Sequence, residues 1–268
     1  MRQALSQILQ VDNFGQLNKI VVPIDFSDAS INAFMYAHRL ATSIDAVTEV
    51  SHVDSLKGNN KQRFNNFIEQ VDTDWNSNIL KSSLINKKYF QGPTNETLIK
   101  SVEETAPHLL VIGNKGNQKG TNRIGSTAAS IIKNLKSNIL IVPEAAKFSR
   151  LQNIIFPFKS NAHLENHLDY VIDFATPFNS HITLLKVGSK NNPSQIECIE
   201  KWKPIYQNMS IHNFNQQAEY GLRLNDNDRK KISMITIPID LVLENNYFQN
   251  LEKSILLSNE KVPYLSLR

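Results

Sequence analysis

The sequence predicts an α/β protein built from two open, five-stranded parallel sheets in tandem, the second a degenerate copy of the first. Three observations carry this reading. Short apolar runs alternate with longer stretches of helical period. A glycine-rich loop stands between one such run and the helix after it. The opening of the pattern also returns: LNKIVVPIDFS at Leu17 lines up with LQNIIFPFKS at Leu151.

Each element follows in order. Ile20 to Val22 is a buried strand, and Asp25 lies just past its carboxyl end, where open parallel sheets hold ligands. Ser27 or Asp28 can cap the next helix, whose Ile31, Phe34, Met35, Ala37, His38, Leu40 and Ala41 form one apolar face. Ala46 to Val53 is the second strand. Residues 60 to 80 read as a mostly polar helix with Phe64, Phe67, Ile68, Val71, Trp75 and Ile79 inward, and Leu84 to Phe90 is the third strand. A helix starts near Pro93 and Thr94 and stops before Pro107. Leu109 to Ile112 is strand four. Thr127 to Leu135 is the helix after the loop, and Asn138 to Val142 is strand five, closed by Pro143.

The loop between strand four and that helix carries Gly113, Gly116, Gly120 and Gly125, then Ser126 and Thr127. Glycine lets main-chain N–H groups approach an anion, and a helix N-terminus adds unpaired donors and partial positive charge. Lys115, Lys119 and Arg123 place cations in the same loop. This is a candidate phosphate cradle, set against the plainer reading of a turn between a strand and a capped helix.

The second copy serves as a control. A shift of 134 residues puts Pro23 on Pro157 and Val53 on Val187, while towards the end of each half a shift of 125 puts NILIV on PYLSL. Core positions survive: Ile20, Val21 and Val22 become Ile154, Ile155 and Phe156. Candidate ligand positions do not. Asp25 becomes Lys159, Gly113 becomes Pro238, Gly116 becomes Leu241, Gly125 becomes Asn250 and Ser126 becomes Leu251. Glycines demanded by the fold alone should recur in both copies, so their loss favours a ligand role in the first. The expected layout is an extension over residues 1–16, a first domain over 17–146 and a second over 147–268.

The bulk numbers exclude several classes. Net charge is +4 in 268 residues and is spread evenly, with no basic stripe or tail of the kind that binds nucleic acid. No run of 18 apolar residues exists, so no membrane helix is expected. Cys198 is the single cysteine, which fits a reducing, cytoplasmic setting. Seven histidines are scattered without the spacing of a metal site. No Gly-Lys-Ser/Thr phosphate loop, no Gly-x-Ser-x-Gly elbow and no paired-carboxylate motif is present, so no enzyme activity is expected.

The residues VPIDFSD, SHVD, GPTNETLIKSVEE and GNKG–GS ahead of NILIVPE resemble those of tandem-domain universal stress proteins of the UspA-like family. The resemblance implies two Rossmann-like domains of the adenine nucleotide alpha hydrolase-like kind. It also implies an adenine nucleotide, ATP or AMP, in the first domain, with Mg2+ only alongside ATP. By resemblance Asp25 would meet adenine or ribose, the backbone of Val53 would read the adenine edge, and Pro23 and Ile112 would wall the base. Gly113, Gly116, Gly125, Ser126 and Thr127 would hold ribose and phosphates. Eight residues separate Gly116 from Gly125, one fewer than in the family's motif, which bears on triphosphate more than on adenosine. The resemblance further implies an intramolecular pseudo-dimer through the fifth strands, with further homodimerisation left open. The alternative reading is a scaffold in the stress response that binds no nucleotide.

Overall fold

The computed structural model of the chain describes residues 19–76, 85–114, 131, 134–187, 199–214, 232–239 and 262–268. Among these described residues ten strands form one sheet. In chain order they are β1 (Lys19–Pro23), β2 (Val47–Asp54), β3 (Ile85–Gln91), β4 (Leu109–Asn114), β5 (Ile139–Pro143), β6 (Asn153–Phe158), β7 (His181–Val187), β8 (Met209–Phe214), β9 (Ile232–Pro238) and β10 (Tyr264–Leu267). Their order across the sheet is β3-β2-β1-β4-β5-β10-β9-β6-β7-β8. Every neighbouring pair is parallel except β5 and β10, which run antiparallel.

The central strands are apolar on both sides because both faces of the sheet are covered, while the edge strand β3, INKKYFQ, is partly exposed. Alternation along β1 sends Ile20 and Val22 to one face and Val21 to the other. The first face meets α1 (Asp28–Ile44) and α2 (Lys61–Asn76) through Phe34, Leu40, Phe64 and Ile68. It continues past the seam to α4 (Asn161–Ala175), whose Leu164, Leu168 and Phe174 cover Phe156 and Phe158. The second face meets α3 (Thr94–Thr105) through Leu98 and Val102, and holds Leu110, Ile139, Ile141, Ile155, Leu185 and Ile235.

Local signals set the helix ends. Ser27 is the N-cap of α1, its Oγ accepting from the Ser30 N–H at 3.3 Å. Asp45 and Ala106 close α1 and α3 in the left-handed conformation.

The link between β5 and β6 is fastened to both sides of the seam. The Asn32 side-chain amide donates to the carbonyls of Pro143 and Ala146 at 3.0 and 2.9 Å. Phe148 packs edge-on against Tyr36 of α1 and also against Phe178. The Arg150 guanidinium donates twice to the Phe178 carbonyl, at 3.0 and 3.1 Å.

Two histidines are held by polar side chains. The His38 ring contacts Thr48 Oγ1 at 3.2 Å. In His181 the two ring nitrogens meet Asn208 and Ser210, each at 2.8 Å. Trp202 packs on the first core face.

Candidate functional site

The chain leaves β1 towards β2 on one side and later returns to β4 on the other. The crevice at the carboxyl ends of β1 and β4 is therefore a topological switch point, the usual ligand position in such sheets. Five sequence-predicted residues converge there: Pro23 ends β1, Asp25 follows it, Val53 is near the end of β2, and Ile112 and Gly113 are near the end of β4. Gly116, Gly125, Ser126 and Thr127 lie outside the described residues, as do Lys115, Lys119 and Arg123.

Strand alternation puts Pro23, Val53 and Ile112 on the same face as Val21, where they form an apolar wall. Ile112 is 4% exposed, whereas Pro23 and Val53 are half-buried. Ser51 lies on that face too, opposite Pro23 in the parallel register. It is 2% exposed, and its Oγ has no hydrogen-bond partner among the described residues. A buried hydroxyl without a partner is uncommon, because desolvating it costs about 1–3 kcal/mol. Sequence reasoning missed Ser51. The signal was a polar residue in an apolar strand run, directly before His52.

The main chain of Val53 faces the same crevice. The Ile24 N–H donates to the Ser51 carbonyl at 2.8 Å, so odd positions of β2 turn their backbone towards β1. The Gly92 N–H donates to the Asp54 carbonyl at 2.9 Å, so even positions turn towards β3. Beyond Ser51, β1 has already turned away, and Val53 is the next residue with its backbone on that side.

Asp25 organises the turn out of β1. Its Oδ1 accepts from the Ser27 N–H at 2.9 Å, and its own N–H donates to Ser30 Oγ at 3.2 Å. The carboxylate thus braces the residue that caps α1 and is itself exposed at the mouth of the crevice. Phe26, next to it, has φ of +63°, an unusual value for an aromatic residue. Its ring is held by His52 at 4.7 Å, Phe67 at 6.2 Å and the Arg63 guanidinium at 4.4 Å. His52 Nδ1 donates to the Ile24 carbonyl at 2.7 Å, which fixes that tautomer, and the ring stacks on Phe64.

Gly113 corrects one step of the sequence argument. Its loss in the second copy suggested that the architecture does not require it. In the structure a Cβ at Gly113 would overlap the Ala29 carbonyl and lie 2.8 Å from the Ser30 nitrogen. The first turn of α1 rests directly on β4 there, whereas α4 touches β9 much less. Packing in the first half alone demands this glycine, and the second half tolerates Pro238 because its helix stands off.

At the rim, Asp54 gathers the loop after β2. It accepts from the Asn60 N–H and the Tyr89 hydroxyl, each at 2.7 Å, and from the Asn60 amide at 3.2 Å. The Asn60 N–H, then the Tyr89 hydroxyl, hold its carboxyl below the usual carboxylate range. Among the described residues no group of three His, Cys, Asp or Glu side chains is placed to hold a metal ion. None of the described helices is long and apolar enough to cross a membrane.

With this geometry in view, the fold can be placed. It is the α/β fold of universal stress proteins. A universal stress protein from Archaeoglobus fulgidus DSM 4304 superposes with a TM-score of 0.68 at 14% identity, over 94% of this chain and 99% of that one. A putative universal stress protein from Pseudomonas aeruginosa UCBPP-PA14 gives 0.59 at 10% identity, over 94% and 93%. The cytoplasmic domain of a prokaryotic cation chloride cotransporter gives 0.57 at 10% identity, over 94% and 95%. No family model and no curated protein matches the sequence itself.

Proposed function

We propose that the chain is a two-domain universal stress protein whose first half binds an adenine nucleotide, ATP or AMP, as a regulatory ligand without turnover. The observation that carries this reading is the orphaned Ser51 hydroxyl within the wall of Pro23, Val53 and Ile112. An apolar face suits a planar base, and a buried hydroxyl in that face suits a polar atom on its edge or on the ribose. The turned-out backbone of Val53 supplies further donors and acceptors, and exposed Asp25 stands at the mouth for a hydroxyl or amine. The glycine-rich loop ending at Ser126 and Thr127 would take the phosphates, and Mg2+ would enter only with ATP. Binding would bias a conformational or partner equilibrium: ligand at 100 times its dissociation constant stabilises the bound form by about 2.7 kcal/mol. In the same reading the two halves act together as an intramolecular pseudo-dimer.

The test is calorimetric titration of purified protein with ATP and with AMP, alongside extraction of any co-purified nucleotide. Saturable binding is expected, and Ser51→Ala should weaken it by up to about tenfold, the worth of one hydrogen bond. No heat at millimolar nucleotide and none extracted would overturn the proposal in favour of a scaffold. The fold's use as a cytoplasmic domain of a cotransporter favours that second reading.

A further inference from the structure

We propose that the second half carries an ester-hydrolysing site, with Ser210 as nucleophile, His181 as its base and Asn208 holding the imidazole. The three residues are distant in sequence and meet because β7 and β8 pair in parallel, Ile182 opposite Met209 and Thr183 opposite Ser210. Alternation puts His181, Ser210 and His212 on the second face, with Leu185. Their hydrogen bonds run in one direction. The Asn208 amide nitrogen donates to the Asn179 carbonyl at 3.1 Å, so the amide oxygen is the atom that faces His181. That oxygen accepts from the Nδ1–H of His181 at 2.8 Å, which leaves Nε2 as an acceptor. The Ser210 hydroxyl donates to Nε2 at 2.8 Å. With that proton committed, His212 Nε2, 3.2 Å from the same Oγ, is the donor of its pair. Amide oxygen, imidazole and hydroxyl in this order are the arrangement that activates a serine.

The frame around the three is fixed. The Ile182 N–H donates to the Asn208 carbonyl at 2.9 Å, and the buried Tyr206 hydroxyl donates to the Ser180 carbonyl. The segment entering β8 is thus tied to the turn entering β7, which Asn179 closes in the left-handed conformation. Asn208 turns its backbone towards β7, so Ile211 turns its N–H away, to the open edge of the last strand in the described sheet. The N–H of the residue after the nucleophile can there meet a developing oxyanion. His181, Asn208 and Ser210 are half-buried while Ile211 and His212 are exposed, so a substrate has access. An open edge suits a small carboxylic ester, whose alcohol leaves more readily than an amine. Ser210 Oγ bonds to the ester carbonyl carbon as its proton passes to His181 Nε2. The bond from that carbon to the alcohol oxygen then breaks, and the alcohol takes the proton. Water repeats the sequence on the acyl-serine, releasing the carboxylic acid and restoring the hydroxyl. The site lies at the amino ends of β7 and β8, away from the carboxyl-end crevices, and does not depend on nucleotide binding.

The experiment incubates the full chain with p-nitrophenyl acetate, following nitrophenolate release, and separately with a fluorophosphonate, locating the adduct by peptide mass spectrometry. Saturable turnover and a phosphonyl group on Ser210 are expected. Ser210→Ala should remove the adduct and lower kcat/KM about a hundredfold or more, and His181→Gln should lower it comparably, with the fold of each checked by thermal melting. His181→Asn serves if His181→Gln does not fold. Asn208→Asp keeps an acceptor for the Nδ1–H and should retain turnover, whereas Asn208→Leu should lower kcat and leave KM unchanged. Equal rates in wild type and Ser210→Ala, or an adduct on other residues only, would overturn the proposal and leave the cluster a hydrogen-bonded strand edge.

Discussion

Leu140 of β5 pairs across the seam with Leu265 of β10, its own counterpart at the 125-residue shift of the repeat. The flanking pairs reciprocate: Ile141 lies opposite Tyr264, and Ile139 opposite Ser266. Self-complementary pairing of this kind is what a two-fold axis imposes on an interface. Leu140 and Leu265 are both fully buried in the first core face, which runs unbroken from Phe34 to Phe174.

Truncation at the seam should therefore act on the whole chain. Leu265→Ala is expected to cost about 2–5 kcal/mol through lost burial and a residual cavity. Urea unfolding followed by tryptophan fluorescence and by circular dichroism should show one coincident transition at a lower midpoint. Two separated transitions, with only one shifted, would mean that the halves unfold independently.

Gly113→Ala should destabilise the protein even without any ligand. The new methyl meets the backbone of Ala29 and Ser30, which cannot step aside without moving the start of α1. Overpacking of this kind costs about 1–3 kcal/mol. Thermal melting of nucleotide-free protein reads the effect directly. An unchanged melting temperature combined with weaker ATP binding would return Gly113 to a purely ligand-contacting role.

The Asp54–Tyr89 bond should shape stability at both ends of the pH range. The carboxyl of Asp54 is held below its unfolded value of about 3.9, so its contribution is complete above that value and is lost as pH falls through the lowered folded one. Tyr89 is held above its ordinary value of about 10, chiefly by the hydrogen bond it donates to Asp54. Its contribution is complete below pH 10 or so and is lost as pH rises through the raised folded value. Urea midpoints measured against pH should form a plateau between these limits. Asp54→Asn should flatten the acid limb and Tyr89→Phe the alkaline one; limbs identical to wild type in both variants would remove the bond from the account.

Much of the fold could be read from the sequence because its signals are local. The runs IVV, LLVI and ILIV are buried on both faces, and Ser27 caps α1 from within its own turn. Strand ends fix where a parallel sheet opens, which singles out the position of Asp25, whereas Pro23, Val53 and Ile112 were named through the family resemblance. What was not legible depends on distant pairs. Gly113 answers to Ala29 across a helix–strand contact. Asp54 answers to Tyr89, and the unpartnered state of the Ser51 hydroxyl emerges only when every neighbour is in place. Asp25 sits between these cases: its turn bond to Ser27 is local, and its exposure at the mouth is not.

The antiparallel joint between β5 and β10 gives the molecule two openings that look in opposite directions. Within each half the strands run together, so the carboxyl ends of β1 and β4 emerge at one edge of the sheet and those of β6 and β9 at the other. The openings are offset by about a strand length along the sheet and by four strand spacings across it, roughly 25 Å in all, with the packed core between them. No small molecule reaches both. A protein docked over Asp25 leaves the opening at the ends of β6 and β9 uncovered, so the two edges can be occupied separately. Any message between the edges has to cross the seam, through the Leu140–Leu265 joint or through the β5–β6 link and its Tyr36–Phe148–Phe178 contacts.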